Sequence, residues 1–393
     1  MSSDPETPTK ARRVTPHHRP WTLTEERREA YRRMSQVSRL AKLAAMRGDG
    51  DPPLHEINVP HYDPNALMPE LDANGLRALS LFSGGGGLDL GFERAGFTHV
   101  AAWDTLAEAA VTLRTNRPGW VVNGGDAGDV SAVRWRDWRG KADVLHGGPP
   151  CQPFSVAGRQ RGHKDVRDMF PAFVKAVKGV EPLAFVAENV AALRGPKFRP
   201  YLTRTVLKPL AAKYTIFEMD LKAEEYGVPQ QRRRFVIVGF RRKRDAKRWQ
   251  PPEHTHSPCA QDEPNGDHPR CPGVRRALGL PDIGIDGLAP TIRSSLTGPR
   301  HTTSILNSVS ARRVWERLEI WPNGVAPTRD KARAFVAPNE HFRLSVPDVA
   351  LLQGFPEDWP FAGAVYMALG QIGNAVPPPI AYAVAASVAA AIS

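Results

Sequence analysis

What this chain has little of narrows its class before any motif is read. Its three cysteines in 393 residues, Cys151, Cys259 and Cys271, are too few for a disulfide framework. In the reducing compartment that this scarcity implies, a conspicuous cysteine serves chemistry rather than cross-linking. No apolar run approaches the roughly 20 residues that cross a bilayer. The start, with Asp4 and Glu6 among Pro and Thr, lacks the basic-then-apolar order of a secretory signal. These absences predict a cytoplasmic protein with no membrane partner. Acidic residues are short as well: 41 Asp and Glu stand against 53 Lys and Arg, a net charge of +12. Such an excess favours a polyanionic partner, because neutralising phosphates releases condensed counterions.

With 41% hydrophobic and 24% charged residues, the chain has the composition of a globular enzyme and the length for one large core plus a smaller module. Residues 1–20, polar and Pro-rich, read as a disordered arm. Thr22 with Glu25 forms a capping-box pattern, and Tyr31, Met34, Val37, Leu40 and Leu43 recur near helical spacing, which predicts an amphipathic helix over about 23–47. Its other face carries Arg27, Arg28, Arg32, Arg33 and Arg39, suited to solvent or to phosphate. Residues 48–72, rich in Asp, Pro and Asn, read as a linker.

From Leu76 short apolar runs at 76–82, 98–103, 143–146, 183–187, 214–221 and 234–240 read as strands. Several are too apolar for a sheet with one wet face. They predict an α/β fold, a doubly wound, mostly parallel sheet with helices on both faces. Between about 241 and 340 the pattern breaks into Pro, His, Arg and Gly, as in a loop-rich inserted module. Pro377-Pro378-Pro379 then leads into a closing helix over 380–392. The domains expected are an N-terminal extension (1–75), a cofactor-binding domain (76–245), a smaller loop-rich domain (246–340) and a segment returning to the first core (341–393).

The first strand runs straight into Ser83-Gly84-Gly85-Gly86-Gly87, where backbone can approach a ligand closely and a helix N-terminus points at it. A tight strand-to-helix connection requires glycine anyway, so the loop alone decides little. Asp104 ends the second strand about twenty residues on, where doubly wound folds place a carboxylate for a ribose diol. A third strand end supplies Gly125-Asp126, suited to the exocyclic amine of adenine. The three together point to an adenosyl cofactor. Asp89 stands where the last glycine of a dinucleotide fingerprint would fall, which makes NAD the weaker choice.

The fourth strand leads to Gly147-Gly148-Pro149-Pro150-Cys151-Gln152-Pro153-Phe154-Ser155, a cysteine on a proline-braced loop at the carboxyl edge of the sheet. The next ends in Glu188-Asn189-Val190, a carboxylate after an apolar run and hence a candidate proton donor with a raised pKa. Gln230-Gln231-Arg232-Arg233-Arg234 then sets Arg232 and Arg234 on one side of an extended chain, as an anion clamp requires. His254, His256, Cys259, His268 and Cys271 fit no tight ligand spacing, and no metal is expected.

This ordered series resembles that of the bacterial DNA cytosine-5 methyltransferases of restriction-modification systems, over about Leu76 to Ala386. The resemblance implies S-adenosylmethionine as cofactor in a Rossmann-like methyltransferase fold, held by Phe82, Ser83, Gly84, Gly85, Gly87, Leu88, Asp104, Thr105, Asp126, Ala127, Gly148, Pro150, Asn374 and Val376. It implies Cys151 as nucleophile, Glu188 as proton donor, and Arg232 and Arg234 as catalytic arginines. Gln152, Ser155 and Arg159 match the loop that closes over DNA, and Thr291 with Arg293 resembles part of a target-recognition domain. Arg343 and Gln353-Gly354-Phe355-Pro356 resemble the family's ninth block, and Gln371–Val376 its final one. Thr105 departs from the expected aliphatic or aromatic packing residue, unless Trp103 compensates. The partners implied are duplex DNA and, functionally, a cognate restriction endonuclease, for a monomeric, nucleoid-associated enzyme. Two other readings stay open: an RNA substrate, which the insert of about a hundred residues disfavours, and a catalytically silent DNA-binding protein, which the intact Cys, Glu and Arg set disfavours.

Overall fold

The computed structural model describes residues 25, 26, 29, 33, 36, 40, 54–150, 168–258, 268–293, 303–306, 308–334, 337 and 339–393. The chain divides into two units, 1–52 and 53–393. In the first, Glu25, Glu26, Glu29, Arg33, Gln36 and Leu40 are helical and exposed, with Glu29 and Arg33 paired at 3.5 Å one turn apart.

The second unit is built on a seven-stranded sheet. Its strands are β1 (Arg77–Leu81), β2 (Thr98–Asp104), β3 (Val122–Gly124), β4 (Val144–Gly147), β5 (Ala184–Val190), β6 (Thr215–Lys222) and β8 (Arg233–Phe240), β7 being the short Gln230–Gln231. The order is β3-β2-β1-β4-β5-β8-β6. The first five pair in parallel, and β8 is antiparallel to both its neighbours.

The near-continuous apolar runs follow from two buried faces. Ala78, Val144, Ala184, Val186, Val236 and Val238 face one apolar layer, whereas Leu79, Leu145, Phe185 and Ile237 face the other. The first layer is completed by α1 (Gly87–Arg94), the second by α2 (Phe170–Val180). Near the C-terminus, α3 (Val365–Asn374) and α4 (Pro378–Ile392) follow each other across a short break. Val365–Ile392 together are long and apolar enough to cross a membrane, but 72% of the most apolar stretch is buried inside the protein, α4 lying against α1. This close approach needs Gly91, where a Cβ would fall 2.5 Å from that of Ala381.

Residues 54–72 contain more structure than a linker. Asp63 caps a 3-10 turn at Pro64–Leu67, Met68 is fully buried, and Asn58 donates to the Leu278 carbonyl and to Asp348. Composition signalled a linker because Asn and Asp here spend their polar groups on caps and long-range bonds. The segment after 245 likewise holds regular pieces, including helices at Val274–Ala277 and Val309–Arg317 and the strand Ile320–Ala326. Its Leu278, Ile292, Trp315 and Leu318 share one apolar cluster with Met68, Leu90, Leu113 and Ile372, so this core is continuous with the flank of the large sheet.

Candidate active site

The carboxyl ends of β1, β2, β4 and β5 open into a cavity of about 570 Å³. It is lined by Phe82, Ser83, Gly84, Gly87 and Leu88 from the glycine loop, and by Asp104, Thr105 and Leu106 after β2. Gly128–Val130, Gly148–Pro150, Met169, Glu188, Val190 and Arg234 continue the wall, and Gln371 with Gly373–Val376 closes it.

The loop after β1 is held in a conformation few residues adopt. Phe82 has φ +58° and Gly84 φ +54°, the former a cost of order 1 kcal/mol for a bulky side chain. Asp104 fixes the loop: one carboxylate oxygen accepts from the Gly84 N–H (2.8 Å), the other from the Leu106 N–H (2.7 Å). Burial raises the Asp104 pKa, and these two N–H donors oppose the rise. From the C-terminal segment, the Trp359 indole donates to the Gly85 carbonyl (3.0 Å), which draws Gly85 back from the cavity. Gly87 is required by closure of the chain, since a Cβ there would lie 2.1 Å from the Val376 carbonyl oxygen. Gly87→Ala is therefore expected to cost about 1–3 kcal/mol of stability. A denaturation midpoint equal to that of the parent protein would contradict the closure.

At the other end of the cavity Glu188 is buried, and its Oε1 lies 2.7 Å from Arg234 Nε. Burial raises the Glu188 pKa, outweighing the opposing charges of Arg234 and Arg232. Gly148 passes so close that a Cβ there would be 2.9 Å from Glu188 Oε2. Asn189 anchors the loop, its amide donating to the Pro149 carbonyl at 2.9 Å while its own oxygen accepts from Val190 N–H. The Glu188-Asn189 pair thus has divided duties: the acid faces the cavity and the amide holds the loop beside it.

Arg232 departs from its expected place. Its side chain is 1% exposed and does not line the cavity. It donates to the carbonyls of Ile292 (2.9 Å), Gly373 (2.8 Å) and Ala375 (2.7 Å). In place of an anion clamp, the guanidinium joins the segment after 245 to the C-terminal end of α3. Gln230 completes the knot, donating to Leu352 O and to Gln353 and accepting from Ile292 N–H. Arg343 is similarly spent on the carbonyls of Gly324 and Lys331.

Of the other expected residues, Asp126 and Ala127 are exposed on a 3-10 turn and do not line the cavity, whose wall there is Gly128, Asp129 and Val130. The strand-end rule located the turn that borders the cavity, but not the residues of that turn that line its wall. Trp103 is no substitute for the packing residue missing at Thr105: it is buried in the opposite layer, against Trp135 and Trp138. The apolar wall comes instead from Leu106, Val130 and Met169, which no motif marks. Thr291 donates to the Gln231 carbonyl, Ile292 is buried beside it, and Arg293 is exposed. Asn374 and Val376 line the cavity as expected. Cys151, Gln152, Ser155, Arg159 and Cys259 lie outside the described residues. Trp359, which braces the glycine loop, was missed; its only signal was a tryptophan following the Gln353–Pro356 block.

Comparison with known proteins gives one answer throughout. The model of the C-5 cytosine-specific DNA methylases matches residues 76–278 and 284–390. The Type II methyltransferase M.NgoMIV of Neisseria gonorrhoeae is 34% identical over 314 residues, 78% of this chain and 95% of that protein. M.NaeI of Lentzea aerocolonigenes, also a Type II methyltransferase, is 34% identical over 321 residues, 81% of this chain and 76% of that one. A solved Escherichia coli structure, described as a prophage-encoded DNA modification methyltransferase, shares the fold with a TM-score of 0.52 at 24% identity, over 79% of this chain and 98% of that one. With the cavity at the same strand ends as the matched blocks, this chain belongs to the C-5 cytosine-specific DNA methylases and is a DNA cytosine-5 methyltransferase.

Proposed function

We propose that the protein methylates carbon 5 of one cytosine within a specific duplex DNA sequence, using S-adenosylmethionine, a flipped-out base and a transient bond from Cys151 to carbon 6. The observation that carries this reading is the single cavity that joins the Asp104-braced glycine loop to the Glu188–Arg234 pair and to Pro150. The cofactor fits the residues present. The cavity has the volume of a small-ligand site, Leu106, Val130 and Phe82 offer apolar walls, and Gly84 leaves open space where a Cβ would project. Asp104 is placed for the ribose, with Ser83, Asn374 and Val376 along the rim. Bound there, S-adenosylmethionine supplies an electrophilic methyl group.

The chain's own residues activate the acceptor. Carbon 5 of cytosine is a weak nucleophile, and attack by the Cys151 thiolate at carbon 6 moves electron density onto it. Cys151 follows Pro150, which lines the cavity, directly in the sequence. Glu188 donates a proton or hydrogen bond to ring N3, and Arg234 holds the base beside it. Loss of the carbon 5 proton and expulsion of the thiolate then free the product. The base must leave the duplex to reach this depth, at a cost of a few kcal/mol that the basic surface offsets. Residues 246–340, with Arg293 exposed, are assigned to target recognition.

Glu188→Gln is expected to lower turnover about 10²–10³-fold. Because burial raises the Glu188 pKa, its proton-donating form persists to higher pH than in a free glutamic acid and is lost as pH rises through that pKa. The parent enzyme should lose activity along that alkaline limb, and the glutamine variant should not; identical profiles would remove Glu188 as donor. The overall reading is tested by cofactor-dependent labelling of duplex DNA and of transfer RNA, with bisulfite sequencing of plasmid from expressing cells. Label in RNA alone, or in neither, overturns it. As a relative of Type II methyltransferases, the protein is proposed to act in the cytoplasm and to shield the cell's own DNA from a cognate endonuclease.

A further inference from the structure

Beneath the cofactor loop, on the α1 side of the sheet, three titratable side chains meet that the proposed reaction does not use. Asp89 comes from α1, His99 from β2 and His146 from β4; Asp89 and His146 are buried, and His99 is half-buried as a residue with its side chain turned inward. Their ligand atoms lie within 4.8 Å of one another, the one such group among the described residues. The two Nε2 atoms face each other at 3.4 Å, and Asp89 Oδ1 is 3.7 Å from His99 Nε2.

As an apolar-core cluster this is poorly compensated. Neither Asp89 oxygen has a hydrogen-bond partner of ordinary geometry, and neither has either imidazole Nδ1. The Ser80 and Ser83 hydroxyls nearby bond to each other at 2.7 Å, although both temper the Asp89 charge. A buried carboxylate without a well-formed hydrogen bond, and two inward imidazoles whose Nδ1 atoms are unbonded, would each cost about 1–3 kcal/mol. Burial, with repulsion from Asp104, pushes the Asp89 pKa up to about 7; burial, with the Arg117 charge, keeps His99 near 3; and burial, with His99 beside it, holds His146 well below its ordinary value. Both imidazoles are thus neutral, the state in which nitrogen offers a lone pair.

The backbone departs from regularity to make this group. Along β1–β2 the register slips between Ala78 and Leu79: His99 pairs with Ala78, yet Ala101 pairs with Leu79, so Val100 is an extra residue. Bulges are rare between parallel strands, and their effect is to re-aim a side chain. Ala101 and Trp103 face the opposite layer, and strict alternation would send His99 there with them. The bulge turns His99 toward Asp89 and His146 instead. Aromatic stacking then fixes both rings, His99 on Trp120 with centroids 4.2 Å apart and His146 on Phe92 at 4.1 Å.

We propose that Asp89, His99 and His146 form a buried structural site for a divalent transition metal of the zinc class, which ties α1 to β2 and β4 beneath the cofactor loop. Two nitrogens bound tetrahedrally at about 2.0–2.1 Å from one ion lie about 3.3 Å apart, close to the separation seen between the two Nε2 atoms. The nitrogen-nitrogen-oxygen donor set suits zinc and its neighbours rather than calcium or magnesium. Charge is also accommodated. Asp89 neutralises half of a dication, and the field of Asp104, which repels Asp89, favours a cation between them. Arg117, which His99 also feels, is itself paired with Glu93 at 2.7 Å. The three braced elements are those whose ends present Gly87, Asp104 and Gly148 to the cavity.

The test uses the full untagged chain, expressed with zinc and purified without chelator, and its metal content by mass spectrometry. About one equivalent of metal per chain is expected, falling about tenfold in His99→Gln and His146→Gln. Refolding with Zn2+ should raise the denaturation temperature by roughly 5 °C over refolding without metal. Refolding with Co2+ should give visible absorption of a tetrahedral ion, a readout of the parent protein that does not rest on the variants folding. Folded parent protein with less than about a tenth of an equivalent, no cobalt spectrum and no zinc-dependent shift overturns the proposal. So does metal that persists undiminished in both folded histidine variants, since the ion then sits elsewhere.

Discussion

Cys151→Ala is expected to abolish methyl transfer, by more than about 10⁴-fold in single-turnover rate, while DNA affinity at fixed salt changes by less than about threefold. The size of the loss follows from the substrate. Without addition at carbon 6, carbon 5 carries too little electron density to take a methyl group, and among the described residues no cysteine lines the cavity, Cys271 being buried away from it. Glu188 and Arg234 polarise the ring but cannot form the bond. Cys151→Ser should fail nearly as completely, because a hydroxyl ionises far less readily than a thiol. DNA binding survives because it rests on phosphate contacts and recognition surfaces distributed over a chain of net charge +12. Methylation retained in the alanine variant, measured as label in duplex DNA, would remove the covalent mechanism. Loss of rate and binding together would instead make the loop a DNA-binding element first.

How far such chemistry was legible in the sequence depended on whether a residue acts through its own motif or through a partner distant in the chain. The strands of the large sheet were readable because both their faces are buried, so that Val144-Leu145 or Phe185-Val186-Ala187 cannot be anything wet. β3 is three residues long and carries no comparable run. Asp104 and Glu188 were readable as candidates because each ends an apolar strand, and Arg234 because it alternates with Arg232 ahead of the next one; all three line the cavity. Trp359 was not, since its partner is a backbone carbonyl 274 positions away. The bulge at Val100 was equally invisible: nothing in Thr98-His99-Val100-Ala101 marks a slipped register, yet the slip decides which layer His99 enters. Residues 54–72, the described part of the segment read as a linker over 48–72, were misread for the opposite reason, because Asn and Asp signal a loop whether their polar groups face water or, as with Asn58, a buried partner.

Arg232→Ala is expected to destabilise the protein by about 3–5 kcal/mol, read as a lower denaturant midpoint. The buried guanidinium donates to the carbonyls of Gly373 and Ala375, at the C-terminal end of α3, where the helix dipole is negative. Truncation leaves these and the Ile292 carbonyl short of donors, and only Ala375 keeps another, from Gln353 at 2.7 Å. Arg232→Lys keeps the charge but not the fork, cannot reach three divergent carbonyls at once, and should lose about half as much. A catalytic arginine predicts the reverse pattern. Were Arg232 to act on the thiolate or on phosphate, alanine would leave the midpoint unchanged and depress the rate of fully folded enzyme by orders of magnitude. Here the rate per folded molecule, measured well below the unfolding transition, should fall less than about tenfold, with cofactor affinity falling first, because Gly373 and Ala375 also line the cofactor cavity. The two arginines of one short motif, two residues apart, would then be separated by experiment, Arg234 by its effect on rate and Arg232 by its effect on stability.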